Sequence, residues 1–173
     1  MITVYSSIKS SRLEYVLNFI FKNLLEIEFK WTQDSKNLDG VIINYSDENF
    51  PFQNYQIKPS GFLVDGNWDF KKYIFLKNKS NYFFPQKKGD HDFDILSSIF
   101  FIVSRMEEYH NEDYDEHHRF ISSNSILVKL NLEQNPIVDQ WCFSLLSQLN
   151  TKFNVELTSP RKFHQYSTFD IDN

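Results

Sequence analysis

The sequence predicts an α/β fold of mixed α+β character, a mixed sheet packed by about three main helices. Apolar residues recur at helical spacing in three long segments, and short runs rich in β-branched and aromatic residues lie between them. The length, 173 residues, suits one domain of ordinary size. With 41% hydrophobic and 17% aromatic residues the chain can bury a core, which excludes an intrinsically disordered composition. Four glycines and no alanine, among abundant Phe, Ile, Asn, Lys and Tyr, follow AT-rich codon usage and say nothing of function. A strand, helix, strand opening followed by several short strands argues against a pure doubly wound repeat.

Residues 2–5 read as the first strand. The first helix spans 11–25, where Leu13, Val16, Leu17, Ile20, Phe21 and Leu24 fall on one face and Ser11 with Glu14 has capping-box spacing. Further strands are expected at 27–31, 41–45, 55–57, 62–64, 73–76 and 82–84. The second helix, 93–109, carries Ile95, Ile99, Ile102, Val103 and Met106 on one face, widened by Phe100 and Phe101, and reads as the central, mostly buried helix. A strand at 125–130 precedes the third helix. That helix opens with Asn135 as N-cap and Pro136 at its first position, and carries Ile137, Val138, Trp141, Cys142, Leu145, Leu146 and Leu149 as its apolar stripe. A strand at 153–157 follows, then a polar, proline-containing stretch, Thr158-Ser159-Pro160-Arg161-Lys162, that reads as a linker.

A net charge of −5 argues against nucleic acid as a partner, because such modules carry a clustered basic face. The one cysteine, Cys142, allows neither an internal disulfide nor a cysteine metal cage and reads as a buried small hydrophobe. No apolar run reaches about 18 residues, and Met1 to Tyr5 lack the basic-then-apolar pattern of a leader, so a cytoplasmic protein without a membrane span is expected. No Ser/His/Asp or Cys/His arrangement is legible, and there is no glycine-rich phosphate loop.

Two places carry chemistry-bearing residues. Glu107, Glu108, Glu112, Asp113, Asp115 and Glu116 lie with His110, His117 and His118; the spacing matches no compact ligand arrangement, so a solvated loop is favoured over a small metal site. Glu107 and Glu108 fall at a predicted helix C-terminus, where the macrodipole disfavours anions and Arg105 offers an offset. The abundant aromatics invite a sugar-stacking role, although most fall on apolar faces and read as core. At the C-terminus, residues 166–173 read as a strand that places Asp170 and Asp172 on one face, a pair suited to metal binding or acid–base work.

Several pieces, taken in order, resemble one family. Phe93-Asp94-Ile95, Ser104-Arg105-Met106-Glu107-Glu108-Tyr109, Asp115-Glu116-His117-His118-Arg119-Phe120, Pro136-Ile137-Val138-Asp139-Gln140-Trp141 and Thr168-Phe169-Asp170-Ile171-Asp172-Asn173 resemble the N-terminal region of polysaccharide deacetylases of Bacteroidetes-type bacteria. The resemblance spans about 93–173, and His118 stands where its pattern has glycine.

The resemblance implies an accessory domain over 1–160, then 161–173 as linker and first strand of a metal-dependent deacetylase barrel acting on an acetylated carbohydrate. It makes Asp170 the general base and Asp172 a ligand of a divalent metal, zinc being the leading candidate. It assigns Arg105, Glu107, Glu108, Arg119, Asp139 and Trp141 to structural motifs. The usual motif has adjacent aspartates, whereas Ile171 separates them here. A catalytic zinc normally takes three protein ligands, so this chain alone is expected to hold no metal and to be catalytically incomplete. Arg105 and Asp139 are expected to be buried, paired with each other or with Glu107, Glu108 and Arg119. The alternatives are a stand-alone binding or interaction domain and, more weakly, a small metalloprotein built on the acid and histidine patch.

Overall fold

Four strands set the frame: β1 (Ile2–Ser6), β2 (Phe29–Thr32), β3 (Val41–Tyr45) and β4 (Tyr55–Gln56), in the spatial order β2-β1-β3-β4. They belong to a computed structural model that describes residues 1–66, 83–110 and 112–170. The α/β class is as expected, and among the described residues every strand pairing in this sheet is parallel. Every residue of β1 and β3 is buried, the state of central parallel strands covered on both faces. The register pairs Ile2 with Phe29 and Val41, and Val4 with Trp31 and Ile43, so these side chains share one face.

Helices cover that face. α1 (Ser11–Leu17) continues as a wider π-helical segment, Asn18–Leu24; α2 spans Ile95–Val103, the short α3 Ile126–Lys129, and α4 Ile137–Phe153. The opposite face carries Thr3, Tyr5 and Asn44 and is closed by loops, with Thr3 reaching Asp39 and the Tyr5 ring 5.1 Å from Phe50. Gly40, at φ +74°, lets the chain pass Met1 so closely that an added Cβ would lie 2.5 Å from the Met1 carbonyl oxygen. No helix among the described residues is long and apolar enough to cross a membrane.

Several boundaries differ from expectation for local reasons. Ser10, not Ser11, caps α1, accepting from the Leu13 amide at 3.1 Å. The second helix stops at Val103 because Arg105 takes a left-handed φ of 50°, and a 3₁₀ turn, Met106–His110, starts afresh. Glu107 and Glu108 thus lie in a first turn, where the helix dipole favours anions. Residues 62–64 form a turn, residues 126–129 are helical as α3, and α4 runs on to Phe153, where left-handed Asn154 ends it. Each of these was a short apolar run, which periodicity alone cannot assign. The expected strand at 73–76 and Tyr82 lie outside the described residues, and the rest of the strand expected at 82–84 is a bend in which Phe84 takes a left-handed φ of 53°.

Apolar burial follows the expected stripes. Ile137, Trp141, Cys142, Leu145, Leu146 and Leu149 of α4 are buried, and the Trp141 ring packs against Phe93 and Phe83 at 5.2 and 6.1 Å. Within this core one carboxylate, Asp94, gathers four donors. It accepts from the Ser97 amide at 3.1 Å as the α2 N-cap, from the Ser97 hydroxyl at 2.6 Å, from the Tyr45 hydroxyl at 2.9 Å and from the Ser60 amide at 2.7 Å. Burial pushes its carboxyl pKa up, opposed by the bonds from Ser97 and Ser60.

A second polar cluster ties β4 to α4. The Tyr55 hydroxyl donates to Gln148 Oε1 and lies at 2.7 Å from Nδ1 of His91, within hydrogen-bond distance. Lys152 pairs with Asp90 at 2.6 Å and sits 5.7 Å above the Tyr55 ring. His91 is buried, and desolvation lowers its pKa from 6.5, opposed by Asp92. A base that stays neutral when folded yet protonates when unfolded contributes stability that is full above pH 6.5 and lost as pH falls through the lower folded value. Urea unfolding of the wild type and His91→Asn at a series of pH values between neutrality and acid checks this. The wild type loses stability across that window relative to the variant, whose amide keeps the Tyr55 contact without titrating.

Candidate functional site

Asp170 and Asp172 were the residues with assigned chemistry. Asp170 lies exposed in an extended tail, and Asp172 is outside the described residues. Over 155–170 there is no regular secondary structure, so the expected strand at 166–173 is not formed in its described part. A strand needs a neighbour for its backbone groups, and this tail has no such partner among the described residues. Nor do the described residues bring three or more His, Cys, Asp or Glu side chains together as a metal site.

The two central motifs converge instead. The loop 114–120 closes by an antiparallel bridge between Tyr114 and Phe120. Asp115 locks it, accepting from the His117 amide at 2.8 Å and from the Arg119 amide and Nε, each at 2.9 Å, and these bonds hold its carboxyl below the usual range. His118 has φ 57°, a left-handed conformation that favours glycine. Against this loop lies the turn that Arg105 starts. Ser104, Arg105, Glu108 and Tyr109 from the turn, with Tyr114, His118 and Phe120 from the loop, line an open cavity of about 410 Å³.

Neighbouring acids in the turn do different work. Glu108 pairs with Arg105 at the cavity, whereas Glu107 points away and caps α3, accepting from the Ser125 hydroxyl at 2.9 Å and the Ile126 amide at 2.7 Å. The expected burial of Arg105 and Asp139 is corrected: the Arg105 side chain is 69% exposed, and Asp139 is 39% exposed and bound to Arg161 at 2.6 Å. They do not meet each other. The break at Arg105 turns its guanidinium outward, and Asp139 lies on α4 away from the buried stripe. Arg119 pairs with Asp115, also at the surface, and Trp141 is buried.

Other candidate places are occupied by the chain itself. In open α/β sheets ligands bind beyond the carboxyl ends of the strands, where the strand order reverses. Here that lies between β1 and β3, where Ser6 is bound to Ile8 and Ser46 to Asn44 and Glu48. Asp65 sits at the start of α1, accepting from the Ser11 amide and hydroxyl at 3.1 and 2.9 Å, where a ligand anion would otherwise approach. Burial pushes the Cys142 thiol up to about 12, which removes it as a nucleophile. Sequence reasoning missed the Asp94 and Tyr55–His91 clusters and the meeting of the two motifs. Only the glycine expected at 118 signalled the loop geometry.

These environments rank three substitutions. Arg105→Ala and Asp139→Ala each cost no more than about 1 kcal/mol, as exposed pairs do. Glu107→Ala, which removes a cap, costs about 0.5–2 kcal/mol and speeds amide exchange at Ile126. Thermal melts and hydrogen exchange of the three variants check the order.

Residues 2–154 match the model of a family described as "Family of unknown function (DUF7033)". No curated protein and no solved structure matches the chain. The family match takes in the sheet, α1 to α4 and the motif cavity, and stops before the tail that carries Asp170. The chain belongs to the family of unknown function DUF7033.

Proposed function

We propose that residues 1–160 are the accessory domain of a polysaccharide deacetylase-like protein, and that 161–173 lead into its metal-dependent catalytic barrel. The observation that carries this reading is where the packed unit ends. Asn150 clamps Leu157 through two hydrogen bonds, 2.9 Å to its carbonyl and 2.7 Å from its amide, and beyond it Phe163, Tyr166 and Phe169 are each more than 80% exposed. Large rings held in water at a regular spacing are ready to be buried by another element. The motif Thr168-Phe169-Asp170-Ile171-Asp172-Asn173 lies on that stretch, outside the family match, which supports its assignment to a following domain.

In this reading the substrate is an acetylated glycan, Asp170 is the general base and Asp172 holds a divalent metal together with ligands that this chain does not supply. The protein is cytoplasmic, and its buried, unpaired Cys142 is compatible with a reducing compartment. The cavity lined by Tyr109 and Tyr114 favours a second reading, a binding domain that works without catalysis.

In the full-length protein Asp172→Asn loses bound metal and activity together. Asp170→Asn keeps its metal and loses about 10²–10⁴-fold in turnover, the usual effect of removing a positioned base. Metal analysis and acetate release from acetylated oligosaccharides check both variants. Metal lost from Asp170→Asn and kept in Asp172→Asn would reverse the two roles, and full activity in both would remove the deacetylase reading. The 173-residue chain by itself releases no acetate.

A further inference from the structure

We propose that the cavity between the 104–109 turn and the 114–120 loop binds a neutral oligosaccharide. Tyr109 and Tyr114 stand 69% and 49% exposed beside the cavity. A tyrosine offers an apolar ring face and a polar tip, which matches the C–H face and hydroxyl rim of a sugar ring. Between them Arg105 and Glu108 form an ion pair, so donors and acceptors stand side by side at the wall with no net charge. Vicinal hydroxyls, each both donor and acceptor, suit that pair.

The volume of about 410 Å³ lies within the small-molecule range of about 300–1,000 Å³. The walls are set before a ligand arrives. Asp115 holds the loop by three bonds, and the backbone turns at Arg105 and His118 fix the two rims. Such preorganisation lowers the ordering cost of binding. The surrounding chain selects among ligand classes. Glu107, Glu112, Asp113 and Glu116 outnumber nearby cations, which disfavours phosphates, uronates and nucleic acid, and Phe120 is the one purely hydrocarbon side chain of the lining, too little for a lipid.

This inference is independent of the deacetylase reading, because no lining residue belongs to the Asp170 and Asp172 motif. The test is calorimetric titration of the 173-residue chain with tetra-N-acetylchitotetraose, cellotetraose and mannotetraose, with saturation-transfer NMR to locate the bound ring. Saturable binding to at least one of them is expected. Tyr109→Ala and Tyr114→Ala each weaken it roughly tenfold, the scale of one lost ring contact, with the melting temperature unchanged. Tyr109→Phe, which keeps the ring, retains most of the affinity. Asp170→Asn binds as the wild type does, so a failed deacetylase assay and a failed binding assay stay separate results. No saturable binding to any of the three sugars, or binding that neither alanine variant weakens, would overturn the proposal.

Discussion

Asp94 is the side chain on which the arrangement of this protein depends. A carboxylate buried in a core is costly unless donors replace the water it loses. Here four donors come from three separated parts of the chain: Tyr45 on β3, Ser60 in the stretch after β4, and Ser97, which contributes two, in the first turn of α2. The dependence runs both ways, since the Tyr45 hydroxyl and the Ser60 amide would lose their partner without Asp94. The Asp94 amide itself donates to the Phe84 carbonyl at 2.9 Å, so the segment entering the helix is held as well. Where α2 begins is therefore fixed by the sheet.

That placement carries through to the surface. α2 runs without interruption from its cap to Val103, and the left-handed Arg105 then sends the chain into the turn that presents Glu107 inward to α3 and Glu108 outward to the cavity. At the other end of the chain α4 packs on the same core through Trp141 and Leu145, and its polar side holds the departing backbone. Asn150 grips Leu157, and Asp139 grips Arg161. The domain thus directs the tail along α4 before the exposed stretch with Phe163, Tyr166 and Phe169. In the proposed reading, this fixed exit is where the domain hands the chain on to the catalytic barrel.

Legibility in the sequence followed the range of the forces involved. β1, β3 and the apolar stripes of α1, α2 and α4 were readable because burial of many side chains repeats at a fixed period. The runs at 62–64, 125–130 and 153–157 are too short to carry a period, and tertiary contacts decided them: the Glu107 cap makes 126–129 helical, and left-handed Asn154 terminates α4. Arg105 and Asp139 misled because a charge inside an apolar-looking motif invites a buried partner. Both instead serve as surface pairs at a helix break and a chain exit. Asp94 was visible in its motif, yet its partners Tyr45 and Ser60 lie 49 and 34 residues away and follow no sequence spacing.

The most direct measurement is a double-mutant cycle in urea on the wild type, Asp94→Asn, Tyr45→Phe and the double variant. If Asp94 joins sheet to helix as described, both single variants lose stability and the pair couples by about 1–3 kcal/mol, as contacting partners in one network do. Costs that add within about 0.3 kcal/mol, or an Asp94→Asn variant as stable as the wild type, would contradict the joint and with it the frame that sets the cavity.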